Sequence, residues 1–255
     1  MKKNNHLIIS IITWIFILLV WFGVTSSGLI STSKLPSPTQ VVNAFIDIIK
    51  NGYNYIPFWQ HLGISLYRLF SAVILSIITA IPLGLLCGYL PRVKAMVNSL
   101  INFYRPLPPL AYYTLLIVWL GIGESSKIML LFLASFAPIY IASVSAVSRV
   151  NKNYIMSAKT FGASERQLFF KVILPAAIPE IFVGVRTAVS VAYTTLVSSE
   201  MVAATAGIGW MVLDAYNYLK TDVVFVGIIV MGITGLLIDF ILVKIEKKYI
   251  FWNGK

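Results

Sequence analysis

What most limits this chain is a recurrence of long apolar runs, each about as long as a lipid bilayer is thick. A hydrocarbon core about 30 Å across needs about 20 consecutive, mostly apolar helical residues. Six runs meet or approach that length: residues 7–24, 69–90, 106–123, 128–147, 181–208 and 223–243. They predict an all-α membrane protein of six transmembrane helices. The run 106–123 is the weakest, because Pro106, Pro108 and Pro109 crowd its start and force an irregular entry into the helix.

Composition agrees. Of 255 residues, 58% are hydrophobic and 11% charged, far from the roughly 45–50% apolar and about 25% charged mix of soluble domains. No Pro/Gly/Ser-rich or low-complexity stretch divides the chain, so residues 1–255 read as one domain. Lys2 and Lys3 followed by an apolar run also fit a secretory signal peptide. The run exceeds the usual 7–15 residues of such a segment and five more spans follow it, so a retained span is expected. Cys87 lies within an apolar run and reads as a small packed hydrophobe.

The net charge of +11 raises the question of a nucleic-acid partner, but the cations form no amphipathic stripe. They sit in short loops between runs. With the N-terminus in the cytoplasm, the inner side holds Lys2, Lys3, Arg92, Lys94, Arg105, the loop cations from Arg149 to Lys171, and Lys244, Lys247, Lys248 and Lys255. The outer side holds only Lys34, Lys50, Arg68, Lys127 and Lys220. This asymmetry satisfies the positive-inside rule and predicts both termini cytoplasmic, with no nucleic acid required.

The connecting segments carry local signals. Ser37-Pro38-Thr39-Gln40 combines an N-cap, a first-turn proline and a capping box, so a helix is expected there. Val41, Val42, Phe45, Ile48 and Ile49 follow at helical spacing, as in a helix lying in the outer interface. Between residues 149 and 180 the inner loop reads as a helix from Lys152 to Phe161 ended by Gly162. Ser164 and Gln167 then form a second capping box, and Pro175 and Pro179 are expected to stop that helix before the next span. Such an elbow, with small residues Ser157, Ala158, Gly162 and Ala163, is suited either to docking in a partner's groove or to serving as an ordinary inter-span loop.

Ser157-Ala158-Lys159-Thr160-Phe161-Gly162-Ala163, Val172-Ile173-Leu174-Pro175 and Gly184-Val185-Arg186 resemble the cytoplasmic loop signature of binding-protein-dependent ABC import permeases. Leu35-Pro36-Ser37-Pro38, Ser65-Leu66-Tyr67-Arg68, Pro82-Leu83-Gly84 and Trp119 to Lys127 are similar to the nitrate, sulfonate and taurine branch. Tyr104 to Ala111 and Ser199 to Met211 bring the likeness nearest its taurine-transporting members. The resemblance implies a MetI-like type I importer permease fold and a homodimer with a second permease copy. It also implies two cytoplasmic ATPase subunits that use ATP and Mg, and an external substrate-binding protein. The coupling loop would engage the ATPase through Ser157, Ala158, Gly162, Ala163 and Pro175. Where the family signature opens with an acidic residue this chain has Met156, so that contact is not carried over. No G-x-x-x-x-G-K-[ST] phosphate loop occurs, so the chain is expected not to be an enzyme and to bind no cofactor.

Ionisable groups within a span are costly and mark functional candidates. Arg186 and Glu200 lie about 21 Å apart along one helix at about 1.5 Å per residue, too far to pair with each other. Arg186 reads as an anchor to helix ends or headgroups. Glu200 suits either an ammonium cargo or the capping of a neighbouring helix. Ser190, Tyr193, Thr194, Thr195, Ser198 and Ser199 make the fifth run polar, and Ser190, Thr194 and Ser198 share a face. That face fits a cavity lining or helix-helix adhesion equally well. Asp239 is expected to snorkel or to pair near Lys247. His6 and His61 stand alone, with no metal-ligand cluster, nucleophile triad or paired carboxylate. The cargo expected is taurine or a related sulfonate. The same class with alkanesulfonate, nitrate or a thiamine-precursor pyrimidine is the alternative, and an ion-coupled secondary transporter would need an internal repeat that is not seen.

Overall fold

Helices account for nearly all of the chain in the computed structural model, which describes residues 2–28, 30–250 and 252, with side chains from residue 8 onward. In order they are α1 (Lys2–Ser26), α2 (Pro38–Asn51), α3 (Phe58–Tyr89), α4 (Pro91–Tyr104), α5 (Pro109–Leu120), α6 (Glu124–Ser148), α7 (Lys152–Thr160) and α8 (Glu165–Leu168). A π-helical turn (Phe169–Ile173) leads into α9 (Leu174–Ala203), followed by α10 (Ile208–Asn217) and α11 (Thr221–Tyr249). Among the described residues five helices are long and apolar enough to cross a membrane: α1, α3, α6, the run Glu165–Ala203 and α11. The predicted span 106–123 is the 12-residue α5, about 18 Å long at about 1.5 Å per residue and shorter than a core of about 30 Å. Its prolines delay the helix until Pro109.

The chain forms two compact units. The first comprises Met1–Gly63 and Ala206–Gly232. In it Val41 and Ile48 of α2 are buried with Tyr53, Phe58, Met211 and Val226. Both caps expected around α2 form: Gln40 N–H donates to Ser37 Oγ at 3.3 Å, and Ser37 N–H to Gln40 Oε1 at 2.8 Å. Of its apolar residues Val42, Phe45 and Ile49 stay exposed. His61, solitary in the sequence, is fully buried. It accepts from the Gly207 N–H at Nδ1 (3.1 Å), which makes Nε2 the donor to the Tyr53 carbonyl (3.2 Å). The imidazole thereby secures the turn at Gly207, whose φ of 128° suits a residue without Cβ. The fifth run thus ends at Ala203, earlier than Ile208, which instead opens α10.

The second unit comprises Ile64–Thr205 and Ile233–Lys255. In it α6 packs along α9. Glycine sets the spacing. A Cβ on Gly184 of α9 would lie 2.2 Å from Ala142 Cβ, and one on Gly84 of α3 would lie 2.5 Å from Ser143 Cβ. One turn on, a Cβ on Gly88 would meet Val147 Cβ at 2.6 Å. Helix α6 is thus approached by glycine from two neighbours, the small-residue packing that membrane helices favour. Ser76 adds a bond from α3 to the Phe132 carbonyl (3.0 Å) and one shared with Ser135 (2.7 Å). Cys87 is fully buried in this core, as expected of a packed thiol.

Pro175 and Pro179 do not stop the elbow's second helix. The π-turn intervenes, with Leu174 N–H donating to the Phe169 carbonyl five residues back, and α9 starts directly from it. Pro175 then falls in the first turn of α9, where its fixed φ fits the helical backbone that runs on from the π-turn. Pro179 lies inside the helix.

Candidate functional site

Three parts of the second unit carry the sequence's candidates. The first is the elbow. Helix α7 closes with Gly162 at φ 78°, and the N–H groups of Gly162 and Ala163 reach back to the carbonyls of Lys159 (2.9 Å) and Ala158 (3.0 Å). This pair of bonds is a Schellman closure, which needs the left-handed conformation glycine supplies. Ser164 and Gln167 then form the expected capping box, at 2.9 and 3.3 Å. Lys159 pairs with Glu165 at 3.1 Å, and Glu165 also accepts from the Tyr89 hydroxyl at the end of α3. Phe161 at the tip is 91% exposed, and Met156, at the position of the family's acid, is exposed as well. Ser157 and Gly162 are exposed, while Ala158, Ala163 and Pro175 are half-buried.

The second part is a face of α9. Ser190 and Thr194 are exposed on it and Ser198 is half-buried. Each hydroxyl donates to a carbonyl of its own helix: Ser190 to Arg186 (3.2 Å), Thr194 to Val191 (2.9 Å) and Ser198 to Thr194 (3.4 Å). The outward groups are therefore oxygen lone pairs, which accept hydrogen bonds. Ser190, Tyr193 and Thr194 line a cavity of about 230 Å³ with Gly235 and Asp239. Arg186 donates to Asp239 (2.9 Å) and Glu246 (3.1 Å), tying α9 to α11. Arg186 thus anchors to α11 carboxylates, and Asp239 pairs with it instead of pairing near Lys247, because the two helices lie side by side here.

Glu200 is not brought together with the other pathway candidates. It is 1% exposed and accepts from Arg68 Nη1 and Ser65 Oγ, each at 2.7 Å. Arg68 also forks onto Glu124, at 2.6 and 2.7 Å. Lys127, equally buried, donates to the carbonyls of Ile122 and Gly123 at 3.1 Å and so fixes the loop that opens α6. Two cations and two carboxylates balance within this cluster, so Arg68, Lys127 and Glu200 tolerate burial while Glu124 keeps contact with the surface. Arg68 and Glu124 were not singled out from the sequence, although both lie in stretches that carry the family resemblance. The ion-pair partners are 56 and 132 residues from Arg68, a distance no local pattern spans. Among the described residues no group of three or more His, Cys, Asp or Glu is placed to hold a metal ion.

Residues 80–251 match the family model described as "Binding-protein-dependent transport system inner membrane component". The chain is 39% identical over 253 residues to the "Taurine transport system permease protein TauC" of Escherichia coli, covering 99% of this chain and 92% of that protein. It is 32% identical to the "Putative aliphatic sulfonates transport permease protein SsuC" of Bacillus subtilis, over 93% of this chain and 85% of the relative. To the "Bicarbonate transport system permease protein CmpB" of Synechocystis it is 29% identical, over 96% and 90%. Long apolar helices and matches that run nearly end to end lead to one assignment: the chain belongs to the binding-protein-dependent inner membrane components, the multi-pass permeases of ABC importers.

Proposed function

We propose that this chain is the translocating subunit of an importer for taurine or a related small sulfonate. Two copies form the membrane pathway, an external binding protein delivers cargo, and two cytoplasmic subunits spend ATP and Mg to drive the cycle. Both termini face the cytoplasm, which puts the elbow on the side of the ATPases. The observation that carries the reading is the elbow itself: Ser157, Ala158, Gly162 and Ala163 surround a closed turn whose tip, Phe161, stands 91% exposed. An apolar side chain so exposed at a rigid tip suits insertion into a partner's cleft. Pro175 supports the elbow from the first turn of α9.

The α9 face supports the pathway assignment. Its acceptor lone pairs at Ser190, Thr194 and Ser198 suit the ammonium end of taurine, and Tyr193 and Asp239 border one cavity with Ser190 and Thr194. Glu200, enclosed by Arg68, acts as a structural tie. Taurine leads the candidate cargoes because the permease named for it is more similar than those named for aliphatic sulfonates or bicarbonate. The test is reconstitution of all subunits in liposomes with labelled taurine. ATP-dependent uptake, competed by taurine over alkanesulfonates, nitrate and bicarbonate, is expected. Uptake without the ATPase subunits would overturn the importer reading, and ATP-driven uptake of another solute would overturn only the cargo.

A further inference from the structure

Two cavities in the second unit meet at Arg105, Ile141 and Ser145 and differ sharply in character. The smaller, about 300 Å³, is walled by Lys94, Asn98, Asn102, Arg105, Ser148 and Arg149. The larger, about 540 Å³, is mainly apolar, with Leu107, Leu133, Ala137, Ile141 and Val183 on its walls. Among the described residues Lys94 and Arg105 make no ion pair. The carboxylate bordering the pair, Glu180, is already held by Arg149 at 3.0 Å. Asn98 accepts the Tyr140 hydroxyl on its amide oxygen (2.7 Å), which leaves its N–H2 to donate. The polar cavity is therefore an uncompensated cationic site with hydrogen-bond donors, as an oxyanion requires.

Depth identifies the oxyanion's carrier. Ser145 and Ser148 lie in the last turn of α6 and Arg149 caps it, so the polar cavity sits where a spanning helix ends and headgroups begin. Leu133 lies 12 residues back along the same helix, about 18 Å at about 1.5 Å per residue, close to half of a core about 30 Å thick. The apolar cavity thus descends through one leaflet from the polar one. We propose that the pair binds an anionic phospholipid, its phosphate among Lys94, Arg105 and Arg149 and one acyl chain against Ile141, Val183 and Leu133. Basic pockets between helix ends recognise such headgroups. A sulfonate cargo with charge at both ends of a short stem would leave the apolar cavity unmatched.

The test uses the full-length chain, taken from nanodiscs of equal phosphatidylglycerol and phosphatidylethanolamine into mild detergent, with retained lipid counted by native mass spectrometry. Phosphatidylglycerol is expected to be retained preferentially. The Lys94→Gln/Arg105→Gln pair lowers its retention at least about tenfold, while the equal-charge control Lys34→Gln/Lys50→Gln leaves it unchanged. Val183→Trp, which fills the apolar cavity without altering charge, lowers retention too. Equal retention in the Lys94/Arg105 pair, or equal loss in the control, overturns the proposal. Displacement of the lipid by millimolar taurine or alkanesulfonate would give the cavities to cargo, and displacement by inorganic phosphate would reduce them to a free-anion site. Either result sinks the lipid assignment and leaves the transport reading intact.

Discussion

Arg68 holds Glu124 with two nitrogens, Nε to Oε2 at 2.6 Å and Nη2 to Oε1 at 2.7 Å, while its third nitrogen reaches Glu200 at 2.7 Å. One buried guanidinium thereby ties α3, α6 and α9 at a single point. Removing one member leaves its partner's charge enclosed, which is worse than never having placed the pair.

Arg68→Ala is therefore expected to destabilise the chain by about 3–5 kcal/mol, the usual cost of breaking a buried ion pair. The double variant Arg68→Met/Glu200→Leu recovers part of this, because both enclosed charges go together. Thermal melting in detergent checks it. A double variant no more stable than Arg68→Ala would show that the cluster does not act as a unit.

The closest helix contact gives a reciprocal test. Gly184→Ala places a methyl group 2.2 Å from Ala142 Cβ, and overpacking of this kind costs about 1–3 kcal/mol. Ala142→Gly in the same chain restores most of the loss. The coupling free energy of the cycle, read from unfolding midpoints, is expected to exceed about 0.5 kcal/mol.

At the elbow, a Cβ on Gly162 would find no atom within 4 Å, so its replacement clashes with nothing in its own chain. Gly162→Ala costs only the left-handed backbone, about 1–2 kcal/mol, felt locally. Gly162→Trp is expected to leave the purified chain folded but to abolish co-purification of the ATPase subunits. Assembly that survives Gly162→Trp would move the docking surface elsewhere.

Phe161→Ala separates the tip from the fold. At 91% exposure the ring adds little to the stability of the isolated chain, so the midpoint is expected to shift by less than about 0.5 kcal/mol. Substrate-stimulated ATP hydrolysis in the assembled complex falls at least about tenfold if the ring is an anchor of the size seen at interface hot spots.

Alkaline pH probes the first unit. Tyr53 donates to Asp214 at 2.8 Å, and burial, then Asp214, pushes its hydroxyl above the ordinary tyrosine range. A raised value means that stability is intact below the unfolded value of about 10 and declines as pH rises through the folded one. Wild type is expected to lose melting temperature above about pH 10 more steeply than Tyr53→Phe, which lacks the titrating group. Parallel curves would remove Tyr53 from this role.

Local features were legible because their signals are local. The capping boxes at Ser37 and Ser164, the Gly162 closure and the long apolar helices each need only a few neighbouring residues, and they appear where the sequence puts them. Prolines misled in one place. Pro175 reads as a stop, yet the chain stays helical through the π-turn before it, and such a turn leaves no mark in composition. Helices α4 and α10 were not expected, although Val93, Met96, Val97, Leu100 and Ile101 of α4 and Ile208, Met211, Val212 and Ala215 of α10 recur at helical spacing; each lies beside a longer apolar run that drew the reading to itself. The ionic cluster at Arg68 and the anchoring of Gly207 by His61 depend on residues far apart in sequence, whose meeting is decided by packing.

The elbow's closure has a final consequence. Because the Schellman bonds at Gly162 and the reciprocal bonds of Ser164 and Gln167 are all internal, the tip holds its shape before anything touches it. A protein that meets it would find a pre-ordered turn, so little of the contact free energy would be lost to ordering a loose loop.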